Sequence, residues 1–538
     1  MEAEFLDRLY TNYIPSDEEI ERIQTDLTLK AAEFGRLDKL IQSLCIERDK
    51  IGAYLDSHKA LISHPRRLPR DIVQEIFLAC LPTDRNAVMS PTEAPVLLCR
   101  ICSAWRNIAH TTPQLWASIH IPFHFVLADE RRMHALDEWL QRSAACSLSL
   151  SLVGNTWDHG WDRWGHSNIF LSSEGLEAIH RLLIRAAPRW RCVELGSFDP
   201  SMLRQLAEVH APGLELLKIS GDLPQMVGPA DAELRKPELA LFTGEHLREL
   251  YLCSSNPSAF KPNADWSQLT HLSISRPSSA AVYTPDGESI HALELLQKTP
   301  RLVSFELGPN VVVESIPEAL TLAFLRRLLI LQSSNLFALE DLFEHLWLPD
   351  LLYFALAPHT DAGNALKCLS KNSPLVQHLF CSVPSFICGL SDPEMFSSFF
   401  PALVHLELTE SDLDYTDDLL RRLTPGASSP VLIYPALTEL VVTNSFSLSV
   451  DVLQTFLEQR VNLSTPFRYL AIRLRYGVEL SPSYEDCMAP FREHGLDASV
   501  TVAPLSNSEW RPSEVPLTPW IGLPSYDSML PLPARWGH

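Results

Sequence analysis

Two hydrophobic periods divide this chain. Between Ile20 and Leu55 apolar residues fall alternately three and four apart: Ile20, Ile23, Leu27, Phe34, Leu37, Ile41, Leu44, Ile51 and Leu55. Lys30 and Arg48 fill the remaining stripe positions. This is the a/d signature of a helix burying a narrow seam. Ser16-Asp17-Glu18-Glu19 reads as its capping box, with acidic residues at the positive helix end. Charged residues between the stripe positions form a solvated face. Gly35 and Gly52 weaken the helix by roughly 1 kcal/mol each relative to Ala. The helix therefore needs company. Two sources stay open: a second copy, giving a homodimer through residues 16–58, or its own chain folded back.

From Trp190 onward the period changes to apolar-x-x-apolar-x-apolar, the mark of a short buried strand. It occurs eleven times: Trp190/Val193/Leu195, Leu214/Leu217/Ile219, Leu247/Leu250/Leu252, Leu269/Leu272/Ile274, Leu302/Phe305/Leu307, Leu325/Leu328/Ile330, Leu351/Phe354/Leu356, Val376/Leu379/Cys381, Leu403/Leu406/Leu408, Leu437/Leu440/Val442 and Phe467/Leu470/Ile472. The steps run from 22 residues (Leu247 to Leu269) to 34 (Leu403 to Leu437), with helix-like stretches between strands. Such spacing predicts degenerate leucine-rich repeats, one strand and one outer helix or turn each. Stacked, they form a curved solenoid with a parallel ladder. Leu148/Leu150/Leu152 could add an earlier strand.

The segment between these regions has a third pattern. Leu68-Pro69 opens a short apolar helix, Ile72 through Leu81, stopped by Pro82. After a polar connector, Leu98, Ile101, Cys102, Trp105, Ile108 and Ala109 recur at helical spacing, and Leu115-Trp116 ends the unit. This ordered set resembles an F-box: Leu-Pro, an apolar helix, a Val-Cys-x-x-Trp-Arg helix and a late Leu-Trp. Here the third element is Ile101-Cys102-x-x-Trp105-Arg106, with Ile in place of Val. The long connector and Thr112-Pro113-x-Leu115-Trp116 look like the F-box proteins abundant in mushroom-forming fungi. The resemblance covers about 50 residues of the 538.

The resemblance implies binding to the Skp-type adaptor of a cullin-RING ubiquitin ligase, and through it to the cullin and RING subunits. The adaptor contacts it implies are Leu68, Pro69, Ile72, Ile76, Leu98, Ile101, Cys102 and Trp105. For Phe77 and Ile108 a role inside the helical unit is favoured. F-box followed by leucine-rich repeats is a known arrangement. The chain would then be an SCF substrate receptor, holding an unknown protein substrate with its repeats while other subunits perform the ubiquitin chemistry. The other reading is a non-catalytic coiled-coil and solenoid scaffold outside a ubiquitin ligase.

Composition narrows this further. Lys+Arg total 44 against 66 Asp+Glu, a net charge of -22, which repels phosphate backbones and argues against nucleic acid. The most apolar stretch, around Leu320 to Leu331, is broken by Arg326 and Arg327, so no membrane span is expected. Met1-Glu2-Ala3-Glu4-Phe5 lacks a signal-peptide pattern. Eleven irregularly spaced cysteines fit reduced thiols, hence cytoplasm or nucleus. Cys99-x-x-Cys102 has no second pair to complete a zinc site. No nucleophile, phosphate-loop or metalloprotease motif occurs. We therefore expect no enzyme, no catalytic or metal residues and no cofactor.

The expected fold is α/β: an N-terminal coiled-coil-like helix (1–60), a small all-α F-box (61–122), a linker and irregular insert (123–189), a leucine-rich-repeat-like solenoid (190–503) and a Pro-rich strap or tail (504–538). Residues between the strand anchors would line the concave face, among them Lys218, Arg248, Glu306, Arg326, Leu329, Glu407 and Val441. Tyr251, Tyr353, His378, Phe380 and His405 are the substrate-binding candidates, with Tyr353 and Phe380 as exposed anchors. Trp157 through His166 reads as an insert folded against the first repeats, ahead of a binding loop or a metal site.

Overall fold

The computed structural model describes residues 8–9, 11–62, 64–83, 85–122, 130–153, 181–196, 206, 209–220, 240–253, 266–275, 290–308, 311–312, 319–330, 336–356, 362–390, 399–410, 415–424, 434–461, 467–478 and 480–502. The tryptophan-rich segment 157–166 and the C-terminal stretch 504–538 lie outside them. The chain divides into two compact units, Met1–Ile76 and Phe77–His538.

The first unit is dominated by helix α1, Asp17–Leu61. Its capping box forms as the sequence predicts. The Glu19 carboxylate accepts from the Ser16 N–H at 2.8 Å, and Ser16 Oγ accepts from the Glu19 N–H at 3.4 Å. The Tyr13 hydroxyl and the Arg8 guanidinium also donate to Glu19. These bonds, the Ser16 amide's first, hold the Glu19 carboxyl below the usual carboxylate range. The apolar stripe stands open to solvent. Ile20, Leu27, Phe34, Leu37, Ile41, Leu44, Ile51 and Leu55 are all exposed, Phe34 by 72%.

Helix α2, Arg70–Ala79, follows a short 3-10 turn. The second unit continues with α3 (Val96–Ile101), α4 (Ser103–His110), a 3-10 turn at Pro113–Trp116, strand β1 (Ser118–Pro122), α5 (Glu130–Arg142) and β2 (Leu148–Val153). Then come β3 (Trp190–Gly196), β4 (Leu216–Ser220), β5 (Glu249–Cys253), β6 (His271–Ser275), β7 (Ser304–Leu307), β8 (Arg327–Ile330), β9 (Tyr353–Leu356), β10 (His378–Ser382), β11 (His405–Thr409), β12 (Glu439–Ser445), β13 (Tyr469–Leu474) and β14 (Asp497–Val502). These fourteen strands make one sheet in chain order, every pairing parallel. That is the order a solenoid-like α/β fold requires. All eleven strands anticipated from Trp190 onward are present.

Register explains the leucines. Leu217, Leu250, Leu272, Phe305, Leu328, Phe354, Leu379, Leu406, Leu440 and Leu470 stand opposite one another across successive strands. All are buried. A second row two residues on, from Ile219 to Val500, runs beside them. Helix α6 (Ala292–Lys298) precedes β7. Helices α7 (Leu336–His345), α8 (Gly363–Asn372), α9 (Val383–Leu390), α10 (Thr416–Leu423), α11 (Val450–Val461) and α12 (Ser483–Glu493) return the chain between later strands and pack side by side. At Gly363 a Cβ would come within 2.5 Å of Cys388, so only glycine allows α8 to approach α9 this closely.

The sheet extends beyond the range expected from the sequence, beginning at Ser118 rather than near residue 190. Trp116/Ile119/Ile121 carries the same strand pattern, and all three are fully buried. The connector after α2 joins this edge. Val88 bridges His120 in parallel, and Asn86 Oδ1 accepts from the Ser118 and Ser149 hydroxyls. A bidentate Arg85–Glu93 ion pair closes the connector. These contacts protect what would otherwise be a bare edge strand.

Candidate functional site

The residues singled out from the sequence lie on helix α2, on helices α3 and α4, and on the sheet face opposite the leucine rows.

Helix α2 is apolar on two sides. Val73 and Phe77, four apart, are buried, while Ile72 and Ile76 are exposed by 45% and 42%. Leu68, just ahead of it, is exposed too. Pro69 sits at the helix start, where its carbonyl accepts from the Val73 N–H at 3.1 Å. Helix α3 has one buried and one open leucine. Leu98 is buried and belongs to the core, whereas Leu97, not among the expected contacts, is exposed by 41%. Leu97 and Ile101 lie four apart on one face of α3, and Ile101 is exposed by 53%. The i, i+4 spacing was the signal for Leu97.

Cys102 is exposed and has a local task. It stands in extended backbone at the start of α4, and its Sγ accepts from the Trp105 N–H at 3.4 Å. Trp105 is half-buried and meets Phe77 edge-on at 5.0 Å. Phe77 is fully buried, as favoured; Ile108 is half-buried. Arg106 Nε donates to the Cys99 carbonyl at 2.8 Å, tying α4 to α3. Trp116 donates from Nε1 to the Ala109 carbonyl at 2.8 Å and meets Trp139 of α5 edge-on at 4.8 Å. Trp116 thus ties the end of α4 to α5 just ahead of β1. Burial pushes the Cys99 thiol up.

The second sheet face has two rows. One runs Glu194, Lys218, Tyr251, Ser273, Glu306, Leu329, Ala355, Phe380, Glu407, Val441. The other runs Glu249, His271, Ser304, Arg327, Tyr353, His378, His405, Glu439. Glu249 and Arg327, not the expected Arg248 and Arg326, occupy the second row. Those two residues precede their strands.

Four of the five substrate-binding candidates come together on β9–β11. The Arg327 guanidinium lies 4.2 Å from the Tyr353 ring centroid. Tyr353 meets Phe380 at 5.0 Å and stacks on His378 at 6.1 Å. His405 meets Phe380 at 5.4 Å and His378 at 5.7 Å. Its Nδ1 lies 2.7 Å from Glu439 Oε2. The expectation of exposed anchors does not hold: Tyr353, Phe380 and His405 are buried, and His378 is half-buried. Parallel register sets the rings side by side, so they bury one another, with Leu329 and Ala355 completing the cluster.

Tyr251 stands apart, four strands away, or roughly 19 Å at sheet spacing. It is half-buried, its hydroxyl donates to Glu249 Oε2 at 3.1 Å, and Lys218 Nζ sits 4.8 Å from its ring centroid. Burial, then the Glu249 charge, raises its hydroxyl pKa. Near this end burial pushes the Glu194 carboxyl up to about 7, with Lys218 opposing. Burial also lowers the His120 imidazole to about 4, where Ser151 Oγ lies 2.8 Å from its Nδ1.

Among the described residues no group of three or more His, Cys, Asp or Glu side chains could hold a metal ion. No described helix is long and apolar enough to cross a membrane. No family model matches the chain. No curated protein matches it either. Among solved structures it has a likeness to a crystal structure of a Bacteroides fragilis protein, at 11% identity and a TM-score of 0.27. That match covers 49% of this chain and 67% of the other. A likeness at that level does not bear on fold or function.

Proposed function

We propose that this protein is the substrate-recognition subunit of an SCF-type cullin-RING ubiquitin ligase, binding the Skp-type adaptor through its F-box-like segment and a target protein through the repeats. The observation that carries this reading is the second apolar side of α2. A ten-residue helix that already buries Val73 and Phe77 gains nothing in isolation from leaving Ile72 and Ile76 in water. A docked partner removes that cost. Leu97 and Ile101 give α3 the same open apolar edge, so Leu97 takes the place of Leu98 in the proposed contact set. The F-box resemblance names the partner. The adaptor would bring the cullin and RING subunits, and the chemistry would be done in trans. The half-buried Tyr251 and His378 are the remaining open contacts for a target on the sheet face.

Co-purification with the Skp-type adaptor tests this. The full chain should retain adaptor, and paired substitution Ile72→Asp with Ile76→Asp should release it without changing the thermal unfolding of the sheet. A wild-type chain with no micromolar affinity for the adaptor would remove the ligase reading and leave the scaffold.

A further inference from the structure

We propose that α1 pairs with α1 of a second copy of this chain, running antiparallel, with paired residue numbers summing to 78 across the seam. Three observations carry it. The first is the open stripe itself: eight large apolar side chains from Ile20 to Leu55 are exposed along a helix roughly 68 Å long at 1.5 Å per residue. A lone helix of this kind, with two glycines and an unburied seam, is marginal in water.

The second is the charge at its two ends. The first turn carries Asp17, Glu18 and Glu19, and the last turn His58 and Lys59. A parallel copy would set acid beside acid and base beside base. An antiparallel copy sets the acidic turn of one helix beside the basic turn of the other, flanking Asp17 with Lys59, and opposes the two helix dipoles.

The third is the register. Folding the stripe about its middle brings Ile23 opposite Leu55, Leu27 opposite Ile51, Phe34 opposite Leu44 and Leu37 opposite Ile41, so these apolar positions meet apolar ones. The two breaks in the stripe coincide as well: Lys30 falls opposite Arg48, with Glu33 of one copy and Glu47 of the other flanking that layer. Two positive and two negative charges then share one level, twice per dimer. In a parallel pair Lys30 would face Lys30, and Glu33 would flank Asp38. A charged layer inside an apolar seam fixes register at a cost in stability. On one flank, where facing residue numbers sum to 76, Ala31 faces Cys45 and Gln24 faces Gly52, each pair with at least one small residue, and Asp38 faces Asp38 at the dyad.

The proposal is independent of the ligase reading. Its consequence is a complex carrying two sheets, which raises avidity for a multivalent target.

Sedimentation of the full chain at micromolar concentration should give twice the chain mass, and Leu37→Asp, which lies in both central layers, should give the monomer. Since Leu37 is exposed, the variant's sheet should unfold as in the wild type. Lys30→Leu with Arg48→Leu should tighten association at least tenfold. Amine cross-linking of an equal mixture of light and isotope-labelled full chains reads the orientation. Lys30–Lys50 links between copies are expected. In the antiparallel pair Lys30–Lys30 is offset by about 27 Å along the axis and should be absent. A monomeric wild type would overturn the pairing, and Lys30–Lys30 links between copies would overturn its direction.

Discussion

Helix α1 and the sheet are built from the same apolar side chains, and only one of them closes on itself. In the sheet each leucine of a strand meets its equivalent on the next, so burial is satisfied by the repeat. Phe305, Phe354 and Leu406 are fully or almost fully buried. In α1 the seam is just as regular, yet Phe34 is 72% exposed. A strand finds its partner about 4.8 Å away in its own chain, whereas nothing described covers the α1 seam. Apolar periodicity thus specifies an element and the face it must bury. Whether the covering surface lies in the same chain depends on repetition, which the sheet has and α1 lacks.

If the contrast is sound, truncation in the sheet should dominate every other effect. Phe354→Ala should cost about 3–5 kcal/mol by opening a cavity in the leucine row, read by denaturant unfolding. A loss under about 1 kcal/mol would mean the row is poorly packed. Leu98→Ala should cost about 2–4 kcal/mol. Its neighbour substituted as Leu97→Asp should stay within about 0.5 kcal/mol of wild type. Equal losses would erase the distinction between core and open edge on α3.

Glu194 sharpens the comparison through pH. Its carboxyl stands at about 7 in the fold against an ordinary 4.5. As pH rises between these values the unfolded chain loses its proton and the native chain keeps it, so this group's contribution falls through that window and reaches its full cost above about pH 7. Glu194→Gln should therefore stabilise the protein at about pH 8 by up to roughly 3 kcal/mol, and change little at about pH 4. A gain that does not depend on pH would refute burial as the cause. Arg460, buried, donates to the Leu423 carbonyl from Nε and Nη2 and to the Tyr434 carbonyl from Nη1. Arg460→Met should orphan those acceptors at a cost of about 2 kcal/mol, again by denaturant unfolding.

The strands were legible because each repeat restates its pattern, and the capping box because Ser16 and Glu19 have the required spacing. What escaped has physical causes. β1 is masked in the sequence because Trp116 also closes the helical unit before it, although Trp116/Ile119/Ile121 fits the strand template. β14 was invisible because Gly495 stands where the other repeats have an apolar anchor. There a positive φ of 93° ends α12 and turns the chain into the strand. Leu97 and Leu98 are adjacent leucines, and only the helix phase tells open from buried. Tyr353 and Phe380 alternate correctly to the second face. Their burial comes from neighbouring rings two rows deep, which a one-dimensional pattern does not display.

Side-chain footprinting of the full chain, alone and with the Skp-type adaptor, reads the helices and the sheet in one experiment. The helices have open apolar edges, and the sheet's leucine rows are buried. Adaptor should protect Leu68, Ile72, Ile76, Leu97 and Ile101 and leave the leucine rows of β7–β11 unchanged. Protection that fell in the sheet and spared α2 and α3 would contradict the proposed adaptor contact.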